Sequence, residues 1–201
     1  MKDLALLVAD KNMDFAMRGI LARPEALKIQ AIEYEIKPHA GRDGGVRTTG
    51  PETMALLRDQ FRHGIVMLDW EGSGTDVNSV DALQQELDER LSKFWDDRAR
   101  AIVIDPELDA WIWGSDNVMG KVLGWGEEKP IREWLAEQGF EFDPARKPSR
   151  PKEALETLMI HLGEPRSSAL YRKVTARISL TRCADPGFTR LKFFLQKWFP
   201  A

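Results

Sequence analysis

Three short runs of apolar residues, each ending at an aspartate, constrain the fold of this chain more than any other feature. The runs are Leu4–Ala9 before Asp10, Gly64–Leu68 before Asp69, and Ala101–Ile104 before Asp105. A continuous apolar run of this length is typical of a β-strand that is buried on both faces. The three runs therefore predict central strands of a parallel sheet.

Amphipathic helices separate these strands. Apolar residues recur at helical spacing over 13–21 and 80–95, and a further helix is predicted to begin at Thr49. The segment Ile29–Ile36 alternates apolar and polar residues, which predicts a half-covered or edge strand. We therefore expect an α/β fold, with a mostly parallel sheet of about four strands and helices on both faces.

The C-terminal part is predicted to be helical, with segments at 118–125, 130–139 and 151–162 and an apolar stripe from Phe188 to Trp198. Charge also divides the chain. Residues 1–144 carry 17 basic and 28 acidic side chains, whereas residues 145–201 carry 12 and 4. We expect an α/β core over 1–144 and a basic helical extension over 145–201, packed on the core. The basic extension either contacts an anionic partner such as nucleic acid or lies against the acidic core.

Cysteine and histidine content excludes two kinds of site. Cys183 is the only cysteine, and the three histidines are far apart in the sequence. A disulfide within the chain and a cysteine-based zinc site are therefore excluded. The first apolar run is too short for a signal peptide, and no stretch approaches the roughly 20 apolar residues of a membrane span. We expect a cytoplasmic protein with no membrane partner.

Acidic residues follow the predicted central strands at the point where each strand ends. Asp10 follows the first strand, Asp69 ends the second and Asp105 follows the third. Glu71 lies two residues beyond Asp69. The carboxyl ends of parallel strands form the edge where ligands collect. Two ionised carboxylates about 4 Å apart repel by roughly 4 kcal/mol at an effective dielectric of 20, so such a cluster needs a cation or raised pKa values. Oxygen ligands favour Mg²⁺ or Mn²⁺, although each acid alone is also explained as a helix cap.

The segment after the third strand combines acids with tryptophans. Glu107, Asp109, Trp111 and Trp113 stand at alternate positions, so an extended chain would place both acids on one side. The tryptophans fit either base stacking or packing in the core. The loop from His39 to Gly45, with Arg42 and two glycines, fits a phosphate-binding loop or a plain turn.

These motifs resemble the Toprim-type fold. The chain is similar to small bacterial Toprim-like proteins found in defence-associated gene neighbourhoods, in its Asp69-x-Glu71 and Glu107-Leu-Asp109-Ala-Trp111 motifs and in Lys173-Val174 and the segment 187–195. Toprim sites have a glutamate after the first strand and then an Asp-x-Asp pair. Here Asp10 and Asp69-x-Glu71 stand at those positions.

The resemblance implies a Mg²⁺- or Mn²⁺-dependent phosphoryl-transfer or nuclease-type protein of a bacterial phage-defence system. It implies Asp10, Asp69 and Glu71 as metal ligands, with Glu107 completing the catalytic acids. Substrate phosphates would be bound by Lys11, His39, Arg42, Lys173 and Arg177.

Two other functions remain open at this point. The first is a non-catalytic accessory subunit with a degenerate site, which binds an ATPase or methyltransferase of the defence system. The second is a receiver-like domain with Asp69 as the phosphorylated residue, although that design needs an acidic pair after the first strand and Asp10-Lys11 supplies one acid.

Overall fold

The computed structural model describes residues 1–145 and 147–201. Its centre is a four-stranded sheet in which all neighbouring strands are parallel, in the order β2-β1-β3-β4. The strands are β1 (Lys2–Val8), β2 (Tyr34–Pro38), β3 (Phe61–Asp69) and β4 (Ala99–Ile104). The predicted α/β class, the parallel sheet and the number of strands are thus confirmed.

Helices connect the strands and build the C-terminal part of the chain. They are α1 (Lys11–Leu21), α2 (Pro24–Leu27), α3 (Arg42–Ala55), α4 (Val80–Trp95), α5 (Asp109–Ile112), α6 (Asp116–Leu123), α7 (Ile131–Glu137), α8 (Pro151–Leu162), α9 (Ser168–Thr175) and α10 (Pro186–Trp198). Across the sheet, the connection from β1 to β2 runs in one direction, and the connections from β2 to β3 and from β3 to β4 run in the opposite direction. Right-handed crossovers therefore place α1 on one face of the sheet and α3 and α4 on the opposite face. Among the described residues, no helix is long and apolar enough to cross a membrane.

Helix α3 differs from the sequence-based prediction because it begins at Arg42 rather than Thr49. The proline inside it, Pro51, has no backbone N–H to donate to the carbonyl of Arg47. Arg90 of α4 supplies the missing donor, since its Nη1 bonds the Arg47 carbonyl oxygen at 2.6 Å and its Nη2 bonds that of Thr48 at 2.7 Å. The loop predicted over 39–45 is thus mostly the first turn of a helix. The strand predicted over 29–36 is also displaced, since β2 begins at Tyr34.

The C-terminal helices pack against the α/β core through apolar contacts and ion pairs. Arg190 of α10 pairs with Asp88 of α4 and bonds the carbonyl oxygen of Ala101 on the edge strand β4 at 3.1 Å. Arg166 pairs with the buried Asp109 at 2.9 Å. Part of the basic charge of residues 145–201 therefore neutralises acids of the same molecule, which is one of the two interpretations that the charge pattern allowed.

Candidate functional site

A polar pocket of about 580 Å³ lies at the carboxyl ends of β1, β3 and β4. Strand order reverses between β1 and β3, because β2 lies on one side of β1 and β3 on the other. This is the topological switch point, where open α/β sheets bind their ligands. The lining residues are Asp10, Asn12, Arg42, Asp43, Asp69, Glu71, Gly72, Glu107, Asp109, Lys152, Arg166, Ser167 and Ser168.

Asp10 and Asp43 form one acidic side of the pocket with Asp69. Asp10 is the N-cap of α1, and its Oδ1 accepts a hydrogen bond from the backbone N–H of Met13 at 2.9 Å. Asp43, in the first turn of α3, accepts through Oδ1 from the backbone N–H of Asp69 at 2.7 Å. Burial raises the pKa of Asp43, and the nearby charge of Asp10 raises it further. The acids of β1, α3 and β3 thus lie next to one another.

Asp69 stands at the centre of the acidic residues. Its Oδ1 accepts a hydrogen bond from the backbone N–H of Leu108 at 2.8 Å, which joins the end of β3 to the loop after β4. Burial raises the pKa of Asp69 well above its ordinary value, and the charges of Asp43, Glu107 and Asp109 add to the effect. A carboxylate in this position gains strongly from a cation or a proton.

Glu71, Glu107 and Asp109 form the other acidic side. Glu107 accepts through Oε1 from the backbone N–H of Lys152 at 3.2 Å. Its pKa rises to about 7, chiefly because of burial and then because of the charges of Asp109 and Glu71. Contrary to the prediction, Glu107 and Asp109 do not share an extended strand, because Asp109 begins the helical turn α5. Both residues nevertheless line the pocket.

The buried Asp109 is held by two side chains from the C-terminal part of the chain. Its Oδ1 accepts from Arg166 Nη2 at 2.9 Å and from the Tyr171 hydroxyl at 2.9 Å. Arg166 also donates to the Tyr171 oxygen and to Glu156. Burial raises the pKa of Asp109, while the Arg166 cation opposes that rise. Arg166 is therefore already engaged in holding the wall of the pocket.

Two further cations of the pocket have free side chains. Within 1–145 and 147–201, the side chains of Arg42 and Lys152 make no hydrogen bond or ion pair. Arg42 begins α3 with φ of 50°, in the left-handed region that arginine rarely adopts. Strained backbone of this kind is concentrated at functional sites. Arg42 and Lys152 are thus the cations available to an anionic ligand.

The predicted site residues divide into two groups. Asp10, Asp69, Glu71, Glu107 and Arg42 line the pocket. The other four lie outside its lining. Lys173 and Arg177 are exposed on or just after α9 and Lys11 is exposed at the start of α1, while the His39 ring accepts from the Gly41 N–H and contacts the Thr49 hydroxyl.

Three charged residues line the pocket that no sequence pattern predicted as site residues: Asp43, Lys152 and Arg166. Asp43 was hidden in a segment interpreted as a loop, and only its helical start at the end of β2 brings it to β3. Lys152 and Arg166 come from a part of the chain that has no strand to mark the site. Ser167 and Ser168, at the start of α9, were missed for the same reason.

Trp111 and Trp113 are buried, so the alternative that they stack on bases is wrong. Trp111 donates through Nε1 to Asp185 Oδ1 at 2.9 Å and packs edge-on against Phe188. Trp113 donates through Nε1 to the carbonyl oxygen of Pro151 at 2.9 Å. Both side chains instead fasten α5 to the C-terminal helices.

The donors of the pocket suit a hard cation, although they do not form a complete cage. Among the described residues, no three His, Cys, Asp or Glu side chains are grouped closely enough to hold a metal ion by themselves. Mg²⁺ does not require such a cage, because it keeps several waters and is usually bound by one or two carboxylates together with substrate phosphates. Asp43 and Asp69, which lie next to each other, are the two carboxylates that could hold such an ion.

Comparison with known proteins gives no family for this chain: no protein-family model, no curated protein and no solved structure matches it.

Proposed function

We propose that this protein carries out Mg²⁺- or Mn²⁺-dependent phosphoryl transfer on a nucleic-acid phosphodiester, in the manner of a nuclease. The observation that carries the proposal is the pocket at the topological switch point, where six carboxylates stand beside Arg42 and Lys152, whose side chains make no hydrogen bond or ion pair within the described residues. Acidic side chains that lie this close together, with pKa values raised by burial and by one another's charges, favour a bound divalent cation. The Toprim-like motifs of the sequence agree with this function.

Asp69 and Asp43 would hold the cation, with Asp10 next to them. Asp10 and Asp69 are two of the three ligands that the resemblance implied, and Asp43 joins them. Glu71 instead lies near Glu107, on the other side of the pocket. The bound cation would polarise the phosphate and neutralise charge that develops on it.

The remaining side chains supply binding and proton transfer. Arg42 and Lys152 would bind phosphate oxygens, because within the described chain their side chains donate no hydrogen bond and lie in no ion pair. Glu107 would accept or donate a proton, since a pKa of about 7 lets a carboxyl group do both near neutral pH. Arg166 would act indirectly, by holding Asp109 in place.

Calorimetric titration with Mg²⁺ and Mn²⁺ tests the proposal. Wild type should give saturable heat, Asp69→Asn should lose it, and Asp59→Asn, at an exposed site outside the pocket, should behave as wild type. Equal heats in all three proteins, or none in wild type, would overturn the metal site. Cleavage of single- and double-stranded DNA and RNA with each metal then tests turnover.

The accessory-subunit alternative is favoured by one observation. Asp10 and Asp69 each accept a backbone N–H, so both acids have a structural use that does not need catalysis. Under this alternative the protein would co-purify with an ATPase or methyltransferase of a defence system and would cleave no nucleic acid with Mn²⁺. Turnover that is lost in Asp69→Asn would exclude it.

A further inference from the structure

Helices α1 and α9 lie side by side and start at the same pocket. Asn12 Oδ1 accepts from the Ser168 hydroxyl at 2.7 Å near their first turns. Further along, the Thr175 hydroxyl donates to the carbonyl oxygen of Ala16 at 3.0 Å. Arg23, beyond the end of α1, donates to the carbonyl oxygen of Ile178 at 2.7 Å. The two helices therefore run parallel and lead away from the pocket together.

The exposed surface of this helix pair, the α1/α9 layer, is strongly basic. Its exposed cations are Lys11, Arg172, Lys173 and Arg177, and Arg18 is partly exposed. The one acid on the two helices is Asp14, which is buried and pairs with Arg18 at 2.6 Å. In the part of the chain that the structure describes, no carboxylate lies within 4.0 Å of the four exposed cations. Unlike Arg166 and Arg190, these cations are not neutralised inside the molecule.

We propose that the α1/α9 layer binds the phosphate backbone of a nucleic acid and leads it to the acidic pocket. The inference rests on the proposed function for the pocket and adds the surface that carries the substrate. Residues 1–144 carry a large excess of acids, so a polyanion is repelled from most of the molecule and attracted to this layer. Regular phosphates bound by lysine and arginine without base contacts give affinity that does not depend on sequence.

A membrane surface is the less suitable partner for the same cations. Helices that bind membranes insert an apolar face below the headgroups. The large apolar residues of α9, which are Leu170, Tyr171 and Val174, are already buried in the protein. On α1, Phe15 is partly exposed, but it packs against the core. Within the described residues, the layer therefore has charge for phosphates, and its single partly exposed large apolar residue does not make a continuous face for insertion.

Fluorescence anisotropy with a labelled DNA duplex and a single strand of the same length tests the layer. All measurements are made in EDTA, so binding is scored without any metal in the pocket. The test variant is Lys173→Glu/Arg177→Glu. The control is Arg58→Glu/Lys93→Glu, which makes the same change in net charge at exposed sites after α3 and on α4, across the sheet from α1. Titrations between about 50 and 200 mM salt give the salt dependence of the affinity.

We expect the test variant to bind about tenfold or more weakly than wild type, with a salt slope shallower by about two, because two phosphate contacts are lost. The control should stay within about twofold of wild type. Equal loss in both variants, or no salt-dependent binding by wild type, overturns the layer as a nucleic-acid surface. The proposal is also overturned if wild type binds phosphatidylserine vesicles more tightly than nucleic acid and if that binding depends on Lys173 and Arg177 in the same way.

The outcome is separable from that of the metal site. Binding through the layer without metal-dependent turnover would remove the proposed catalysis and leave the nucleic-acid surface. In the opposite case, turnover needs Asp69, but the test variant keeps the KM and the metal-free affinity of wild type. That result would leave the catalysis and remove the surface.

Discussion

The carboxylate of Asp43 accepts a hydrogen bond from the backbone N–H of Asp69, which fastens the first turn of α3 to the end of β3. The bond also brings the two acidic side chains together, so that the charge of Asp43 contributes to the raised pKa of Asp69. A single contact thus connects the packing of α3 on the sheet with the electrostatics of the pocket.

Replacement of Asp43 separates these two effects. Asp43→Asn keeps an oxygen that can accept the Asp69 N–H but removes the negative charge, so the pKa of Asp69 should fall. Carboxyl carbon NMR titration measures it directly. Asp59→Asn, at an exposed site away from the pocket, is the control. An unchanged pKa of Asp69 in Asp43→Asn would show that the charge of Asp43 does not contribute to it.

Glu107 should destabilise the folded protein above neutral pH. Its pKa is about 7 in the fold against an ordinary value of 4.5, so the folded state keeps a proton that the unfolded chain releases between these values. Stability is therefore lost as pH rises through this window, and the loss is complete above about pH 7. Discounted for its partial exposure, the expected gain from Glu107→Gln is about 1 kcal/mol at alkaline pH.

Urea unfolding at about pH 4 and pH 8 checks this prediction. Glu107→Gln should match wild type at the lower pH and exceed it at the higher one. Glu164→Gln, at an exposed position outside the pocket, should show no such difference. A gain that is the same at both pH values would mean that packing, and not the carboxyl charge, is responsible.

Arg166 should contribute to stability because it compensates a buried charge. Arg166→Met leaves Asp109 with the Tyr171 hydroxyl as its remaining side-chain donor, and should cost about 2–3 kcal/mol. Adding Asp109→Asn should recover part of that cost, since the uncompensated charge is then gone. Arg150→Met, which removes an exposed pair with Glu153, should cost well under about 1 kcal/mol. Equal costs for the two single variants would contradict the role of burial.

Gly19 permits the close approach of α1 and α9. A Cβ at this position would lie 2.1 Å from Thr175 Oγ1 and 2.7 Å from the carbonyl oxygen of Arg172, which is backbone and cannot turn away. Gly19→Ala should therefore cost about 2 kcal/mol or more and expose the amides of α9 to hydrogen exchange. Gly44→Ala in α3 meets no atom closer than 4.0 Å and should stabilise by about 0.5 kcal/mol. Unchanged exchange in α9 would refute the tight contact.

The apolar runs sufficed to predict the sheet, because a strand buried on both faces must be apolar throughout. The same runs located Asp10 and Asp69, since each acid stands where its strand ends. Asp43 could not be found in this way, because its position depends on where α3 begins. That helix starts earlier than its glycines suggest, and it contains a proline whose missing backbone hydrogen bond is replaced by one from Arg90. Contacts between distant parts of the chain, such as those of Arg166, leave no periodic pattern in the sequence.

His63 should make the protein sensitive to mild acid. Its ring stacks on Trp198 at 4.5 Å and meets Phe199 edge-on, and its buried Nδ1 has no hydrogen-bond partner in the described chain. Burial lowers its pKa below the ordinary 6.5, so the unfolded chain takes up a proton first as the pH falls. Stability is thus lost on acidification from about pH 6.5 to the lower folded pKa. The acids Asp43, Asp69 and Glu107 act in the opposite direction, so wild type and variant must be compared at each pH.

His63→Phe keeps an aromatic ring against Trp198 and removes the titration. In urea unfolding, it should lose less stability than wild type between about pH 7.5 and 5.5. Parallel losses in wild type and His63→Phe would assign the acid sensitivity to another group.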